Sequence, residues 1–221
     1  GDEVYTGRIR RVGPTRIHKT INEALAVASD FDTLLIDEGT YNEVVKLTKF
    51  VNLKGDTDDP SKVIIQYIGG AYSEVSATVY VGGSYLTNKD FDIYTNPLII
   101  EGLTIINNSA HSWKVALRIN DSQIPILINR VRLIATDTSS YPLIGPASVN
   151  GDKPITIRNT YIKRGYSTYL YLNDDTLRLE NVLTNTSTSC YQCDSSPKTN
   201  DIKTTETVGY GPSYGTWELG S

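Results

Sequence analysis

The chain has 221 residues, 39% of them hydrophobic and 21% charged, with a formal net charge of −4 from 21 basic and 25 acidic groups. That balance supplies a core and argues against wholesale disorder, and no apolar run approaches the length of a membrane span. Nothing in the overall charge favours nucleic acid. The composition is otherwise lopsided, with no methionine, 15 tyrosines against 3 phenylalanines, and 2 cysteines. A chain that opens on Gly1 and holds no methionine is expected to have lost its initiator or a longer leader, or to carry added residues.

Residues 1 to 19 read as a basic arm, in which Arg8, Arg10, Arg11, Arg16 and Lys19 face only Asp2 and Glu3. The arm suits contact with an acidic partner or, more plainly, solvation. The clearest helix follows. Thr20-Ile-Asn-Glu23 fits a capping box, and Ile21, Ala24, Leu25 and Ala28 form one apolar stripe that must lie on something. From Thr33 the period changes to two, and short β-rich runs appear: Leu34–Ile36, Val44–Leu47, Val51–Leu53, Val63–Tyr67 and Ala77–Val81.

Further on, four segments share one frame of apolar, variable, apolar, polar and turn. They are Leu98-Ile-Ile-Glu-Gly102, Ile126-Leu-Ile-Asn-Arg130, Ile155-Thr-Ile-Arg-Asn159 and Leu177-Arg-Leu-Glu-Asn181. Val51-Asn-Leu-Lys-Gly55 fits the same frame about two periods earlier. A repeat of about 20 to 30 residues with several short strands and no helix is a solenoid signature. It predicts a parallel β-helix of about six or seven coils over residues 20–186, capped by the helix, in preference to a sandwich, which needs no recurring frame. Stacking the frames places Glu101, Asn129, Arg158 and Glu180 in one vertical column, with Arg158 beside Glu180. Asn159 and Asn181 share a turn position where asparagine tolerates left-handed backbone and can ladder its amide.

The stretch from Thr20 through Gly39-Thr-Tyr41 to Val45, followed by Phe50-Val-Asn-Leu-Lys-Gly-Asp56, resembles the opening of the pectin-lyase-like right-handed β-helix proteins. Ile100-Glu-Gly-Leu-Thr-Ile-Ile-Asn107 echoes it. The resemblance implies the fold and leaves activity open, because that superfamily holds pectin methylesterases, pectate lyases, polygalacturonases, phage tailspikes and non-catalytic surface proteins. The Gly-His-Gly of polygalacturonases, the Gln-Ala-Val-Ala and Asp-Phe-Ile-Phe-Gly of pectin methylesterases and the tryptophan-rich aspartate motif of pectate lyases are not found.

Candidate chemistry is sparse. Cys190-Tyr-Gln-Cys193 lacks a second metal-ligating pair and reads as a local disulfide or two free thiols. His18 and His111 have no ligand spacing, so no metal and no cofactor is expected. Asp56, Asp58 and Asp59, Asp90 with Asp92, and Asp174 with Asp175 read chiefly as turn formers. Tyr166, Tyr169 and Tyr171 crowd around Arg164, and with Leu170 and Leu172 turned inward, both Tyr169 and Tyr171 point outward. They suit sugar stacking or a protein interface, or simply clad a β surface. Residues 187–221 are rich in Ser and Thr, with Ile202, Val208 and Leu219 the only aliphatics. They read as an extended polar tail anchored by Tyr210, Tyr214 and Trp217.

These features lead to the expectation of a non-enzymatic surface module, a virion component binding neighbouring subunits as a homo-oligomer, a trimer by analogy, on a virion surface or outside the cell. The alternatives are a carbohydrate-active enzyme (lyase, esterase or glycosidase) and a carbohydrate-binding adhesin, with a surface polysaccharide as partner.

Overall fold

The structure, a computed structural model, describes residues 7–70, 77–83, 85–86, 97–120, 124–145, 155–163, 169–171, 178–184, 189–191 and 199–204. Each coil runs through three short strands, and strands of successive coils pair in parallel. One face carries, in stacking order, β1 (Ile9–Val12), β2 (Thr33–Ile36), β5 (Asn52–Gly55), β8 (Leu98–Glu101), β11 (Ile126–Asn129), β14 (Ile155–Lys163), β16 (Arg178–Thr184) and β18 (Thr199–Thr204). A second face carries β3 (Gly39–Asn42), β6 (Val63–Tyr67), β9 (Thr104–Asn107) and β12 (Arg132–Ile134), continued by the second halves of β14 and β16. The third holds β4 (Val45–Leu47), β7 (Ala77–Val81), β10 (Lys114–Ile119), β13 (Ser140–Ile144), β15 (Tyr169–Tyr171) and β17 (Ser189–Tyr191). This is a parallel β-helix.

The repeated frame has a direct physical consequence. Its second apolar position stacks Leu34, Leu53, Ile100, Ile128, Ile157 and Leu179 in unbroken register, all essentially inaccessible to solvent. Burying each such side chain contributes about 1.5–3 kcal/mol. The polar position that follows stacks Lys54, Glu101, Asn129, Arg158 and Glu180 on the outside. There Lys54 Nζ lies 3.3 Å from Glu101, Asn129 donates to Glu101 at 2.6 Å, and Arg158 Nε pairs with Glu180 at 2.7 Å.

At the turn position the backbone is left-handed at Gly102, Arg130, Asn159 and Asn181. Asn181 Nδ2 donates to Asn159 Oδ1 at 3.0 Å, and Asn159 Nδ2 to Asn129 Oδ1 at 3.1 Å, so the expected amide ladder is present. Gly55 stands in the same column because a Cβ there would lie 2.0 Å from the Gly102 carbonyl oxygen. In β14 the chain turns this corner at Asn159 without losing pairing, which joins the first two faces into one sheet.

The helix α1 (Ile21–Val27) closes the first coil, with Ile21 and Ala24 buried. Thr20 Oγ1 accepts from the Glu23 amide at 3.1 Å, and Glu23 reaches back to the Lys19 amide at 2.9 Å. Glu43 accepts from the Ile21 and Asn22 amides, while Lys49 Nζ donates to the Leu25 and Ala28 carbonyls. An anion at the positive end of the helix and a cation at the negative end favour it electrostatically, and both come from the coil beneath. At the other end, β17 and β18 add rungs beyond Thr186, where composition alone placed the start of an extended tail. Among the described residues no helix is long and apolar enough to cross a membrane.

Candidate functional site

The basic arm is built into the stack. β1 pairs with β2, so the Arg10 and Arg11 side chains and the Arg8 backbone amide meet the carboxylates of the first coils. Arg10 Nε bonds Asp32 Oδ2 at 2.7 Å, and Asp32 also accepts from the Arg8 and Ser29 amides. Arg11 Nη2 bridges Asp37 at 2.7 Å and Asp56 at 2.6 Å, and Arg16 Nε holds Asp37 at 2.7 Å. The guanidinium of Arg16, then that of Arg11, keeps Asp37 below the ordinary carboxylate range against the opposing effect of burial. The side chains of Arg10, Arg11 and Arg16 therefore hold the N-terminal segment to the first coils. An open pocket of about 480 Å³ beside them is lined by Ile9, Arg10, Arg11, Thr15, Arg16, Ile17 and His18. Burial pushes Asp59 upward, but the Ser61 hydroxyl and amide outweigh it and leave the group lowered; it caps the turn Pro60–Lys62, the turn-forming role expected for that cluster.

Of the aromatic candidates, Tyr169 and Tyr171 lie in β15 on the third face, between β13 and β17. Their side chains, together with Arg164, Tyr166, Tyr210, Tyr214 and Trp217, lie outside the described residues, as do Asp90, Asp92, Asp174 and Asp175. Tyr161, by contrast, is buried against Leu183 and Ile134.

A different cluster stands out on the third face, where β10 and β13 pair with Lys114 opposite Ser140 and Val115 opposite Tyr141. Trp113, at the entry to β10, is 39% exposed. Its ring meets Tyr141 edge-on, with centroids 5.7 Å apart, and the Arg118 guanidinium lies 5.8 Å from its centroid, within cation–π range. The backbone before it is fixed locally, because the Trp113 amide donates to His111 Nδ1 at 3.0 Å.

Beside this platform, Lys114 Nζ lies 2.5 Å from Asp137 Oδ2, with Asp137 half-exposed and Lys114 largely covered. Asp137 Oδ1 accepts from the Ser139 amide at 2.9 Å, the Ser139 hydroxyl at 2.8 Å and the Ser140 hydroxyl at 2.9 Å. Lys114 foremost, then Ser139 and, less strongly, Ser140, hold the Asp137 carboxyl far below the usual range although desolvation opposes them. Among the described residues Arg118 has no carboxylate partner, so the platform carries a cation free to meet an anionic group. A flat aromatic, a free guanidinium and an ionised carboxylate with its ammonium can together seat a sugar ring and pair with its charged substituents.

The tyrosine count drew attention to residues 161 to 171, whereas the usable signal was one of only two tryptophans, set next to Lys114 in the strand that also carries Arg118.

No family model matches the sequence, and no curated protein matches it significantly. Solved structures do. The pectin methylesterase from Aspergillus niger in deglycosylated form superposes with a TM-score of 0.57 at 17% identity, over 92% of this chain and 71% of that one. The pectin methylesterase from carrot gives 0.51 at 18% identity, over 92% of this chain and 73% of that one. A further structure of the Aspergillus niger enzyme gives 0.53 at 16% identity, over 82% of this chain and 58% of that chain's length. The fold is that of the pectin-lyase-like right-handed parallel β-helix proteins. These likenesses are to esterases and not to virion components, which corrects the expectation of a non-enzymatic virion module. The basic arm that entered that expectation is taken up by the pairing of β1 with β2.

Proposed function

We propose that this chain is an extracellular carbohydrate-active β-helix protein that seats an acidic polysaccharide on its third face and hydrolyses an ester carried by that polymer. The observation that carries the reading is the juxtaposition of the Trp113–Tyr141–Arg118 platform with the Lys114–Asp137 pair on neighbouring rungs of one sheet. The likeness to pectin methylesterases supports an ester as the bond attacked.

At Asp137 the electrostatics suit hydrolysis of an ester. Glycosidases need one carboxyl kept protonated by a raised pKa. Among the described residues every carboxyl with a shifted pKa, namely Asp32, Asp37, Asp59 and Asp137, is shifted downward. An ionised carboxylate serves instead as a base. Asp137 takes a proton from a water as its oxygen adds to the ester carbonyl, and Lys114, with two N–H groups beyond the one given to Asp137, donates to the oxyanion that forms. Collapse of the tetrahedral adduct breaks the bond to the alcohol, which leaves carrying the proton from Asp137; the carboxylic acid formed then releases its own proton to solvent and remains as carboxylate.

The test is release of methanol from methyl-esterified polygalacturonate by the wild type and by Asp137→Asn. Loss of about a hundredfold or more in kcat with binding retained supports the reading. A wild type that binds the polymer and releases no alcohol from it would refute the esterase.

A further inference from the structure

Asp137 is tied to the interior by a short chain of hydroxyls. Ser140 is 1% exposed and donates to Asp137 Oδ1 at 2.9 Å. Its Oγ lies 3.3 Å from Thr136 Oγ1, which in turn lies 3.2 Å from the backbone carbonyl oxygen of Asn107 on β9. Asn107 is itself buried, with its amide donating to the Val115 carbonyl at 3.0 Å and its Oδ1 accepting from the Ser109 amide at 3.0 Å. The chain thus runs from the half-exposed carboxylate on the third face to a buried, hydrogen-bonded residue at the end of a second-face strand.

Three contacts in this chain share two protons. Each hydroxyl has one hydrogen to give. When Asp137 is ionised, Ser140 gives its proton to the charged acceptor, the stronger choice, and Thr136 divides its own between Ser140 Oγ and the Asn107 carbonyl. When Asp137 carries a proton, the Ser140 hydroxyl is released to turn toward Thr136, whose proton then goes wholly to Asn107. Both arrangements satisfy the buried oxygens, so reversal costs no unpaired buried group.

We propose that Ser140 and Thr136 are positioning residues, a two-state hydroxyl relay that reorients with the protonation of Asp137 and fixes its ionised carboxylate through Oδ1. The role of Asp137 in turnover rests on the esterase reading; the relay itself does not. The charged group facing Asp137 among the described residues is Lys114, from β10, and the remaining partner groups are Ser139 and Ser140 on its own segment.

The experiment follows the Asp137 carboxyl carbon by NMR from neutral pH to the acid-unfolding limit in wild type, Ser140→Ala, Ser140→Cys and Thr136→Val, with amide spectra to verify the fold. Removing one charged-acceptor hydrogen bond should raise the Asp137 midpoint by about one pH unit in Ser140→Ala. The thiol, a weak donor, should give an intermediate rise, and Thr136→Val a smaller rise in the same direction, because Ser140 loses its own donor. A midpoint in Ser140→Ala equal to wild type, or no inflection in either protein above the unfolding limit, would overturn the relay. An unmoved Thr136→Val would cut it at Ser140. If methanol release is absent while these shifts appear, the esterase reading fails and the relay stands. With turnover present, Ser140→Ala should lower kcat with KM little changed, and the acid limb of its rate profile should move up with the carboxyl midpoint.

Discussion

Trp113 and Arg118 give the sharpest test of where a polymer binds. The exposed part of the indole can stack on a sugar ring, and removing such an aromatic contact costs about 1–3 kcal/mol, so Trp113→Ala should weaken binding of an oligogalacturonide about fivefold to about 150-fold. Arg118→Gln keeps length and polarity and removes the charge, and loss of a hydrogen bond to a charged group costs about 1.5–3 kcal/mol. With the guanidinium 5.8 Å from the ring centroid, the two are not independent. In the double variant the effects should fall short of additive by about 0.5–1 kcal/mol, the size of an exposed cation–π contact. Titration calorimetry of all four proteins, at low salt and at about 0.5 M salt, separates the contributions. The Arg118 effect should shrink as screening grows, while the Trp113 effect persists. Neither side chain anchors the main core, so thermal midpoints should stay close to wild type. Dissociation constants that change less than about twofold in both single variants would refute the assignment of this face as the binding surface.

Other consequences are equally open to measurement. If Asp137 acts as the base, its depressed pKa means that kcat/KM holds as pH falls below about 4, the ordinary carboxylate value, and declines only as pH drops through the lower folded value; an acid limb centred near or above 4 would contradict that role. Asp32, which burial pushes up but the Ser29 amide, Arg10 and the Arg8 amide pull lower overall, has a folded pKa below its unfolded one. Its stabilisation is present above about pH 4 and is lost as pH falls through the folded value, so Asp32→Asn should flatten the acid side of the stability curve measured by urea unfolding. Asn159 combines left-handed backbone with two ladder bonds, and Asn159→Ala should be more destabilising than Asn159→Gly by about 1 kcal/mol, since only alanine meets the Cβ penalty. Ile128→Ala, in the middle of the inner column, should cost about 2–5 kcal/mol in the same assay.

The first face was legible because its physics is periodic. Isoleucine or leucine must recur where the inward column passes, a polar residue must follow, and a residue that accepts left-handed backbone must come next, so Ile100, Ile128 and Ile157 and their neighbours could be aligned by eye. The third face offers no such frame. The connections before β10 and β13, residues 108–113 and 135–139, differ in length and composition, so phase is lost before Trp113 and Asp137 are reached. Lys114 and Asp137 are 23 residues apart and meet only because two rungs stack with Lys114 opposite Ser140. β17 and β18 were hidden for a related reason. Thr199–Thr204 has almost no apolar pattern of its own, and its strand is templated by the open edge of β16.

Charge shows the same limit from the other side. A local count over residues 1 to 19 finds an excess of arginine and reads a solvated arm or a contact with an acidic partner. Parallel stacking sets β1 on β2, which brings Arg10 to Asp32 and Arg11 to Asp37 and Asp56 across 22, 26 and 45 residues. Arg118 is the converse case. Its strand contains a lysine and no acidic residue, and the same stacking that neutralises the N-terminal arginines leaves it over an indole with no carboxylate among the described residues. In a β-helix a cation is therefore structural or available according to the rung above and below it, and the availability of Arg118 is what makes the third face, and not the basic N-terminus, the place to look for an acidic polymer.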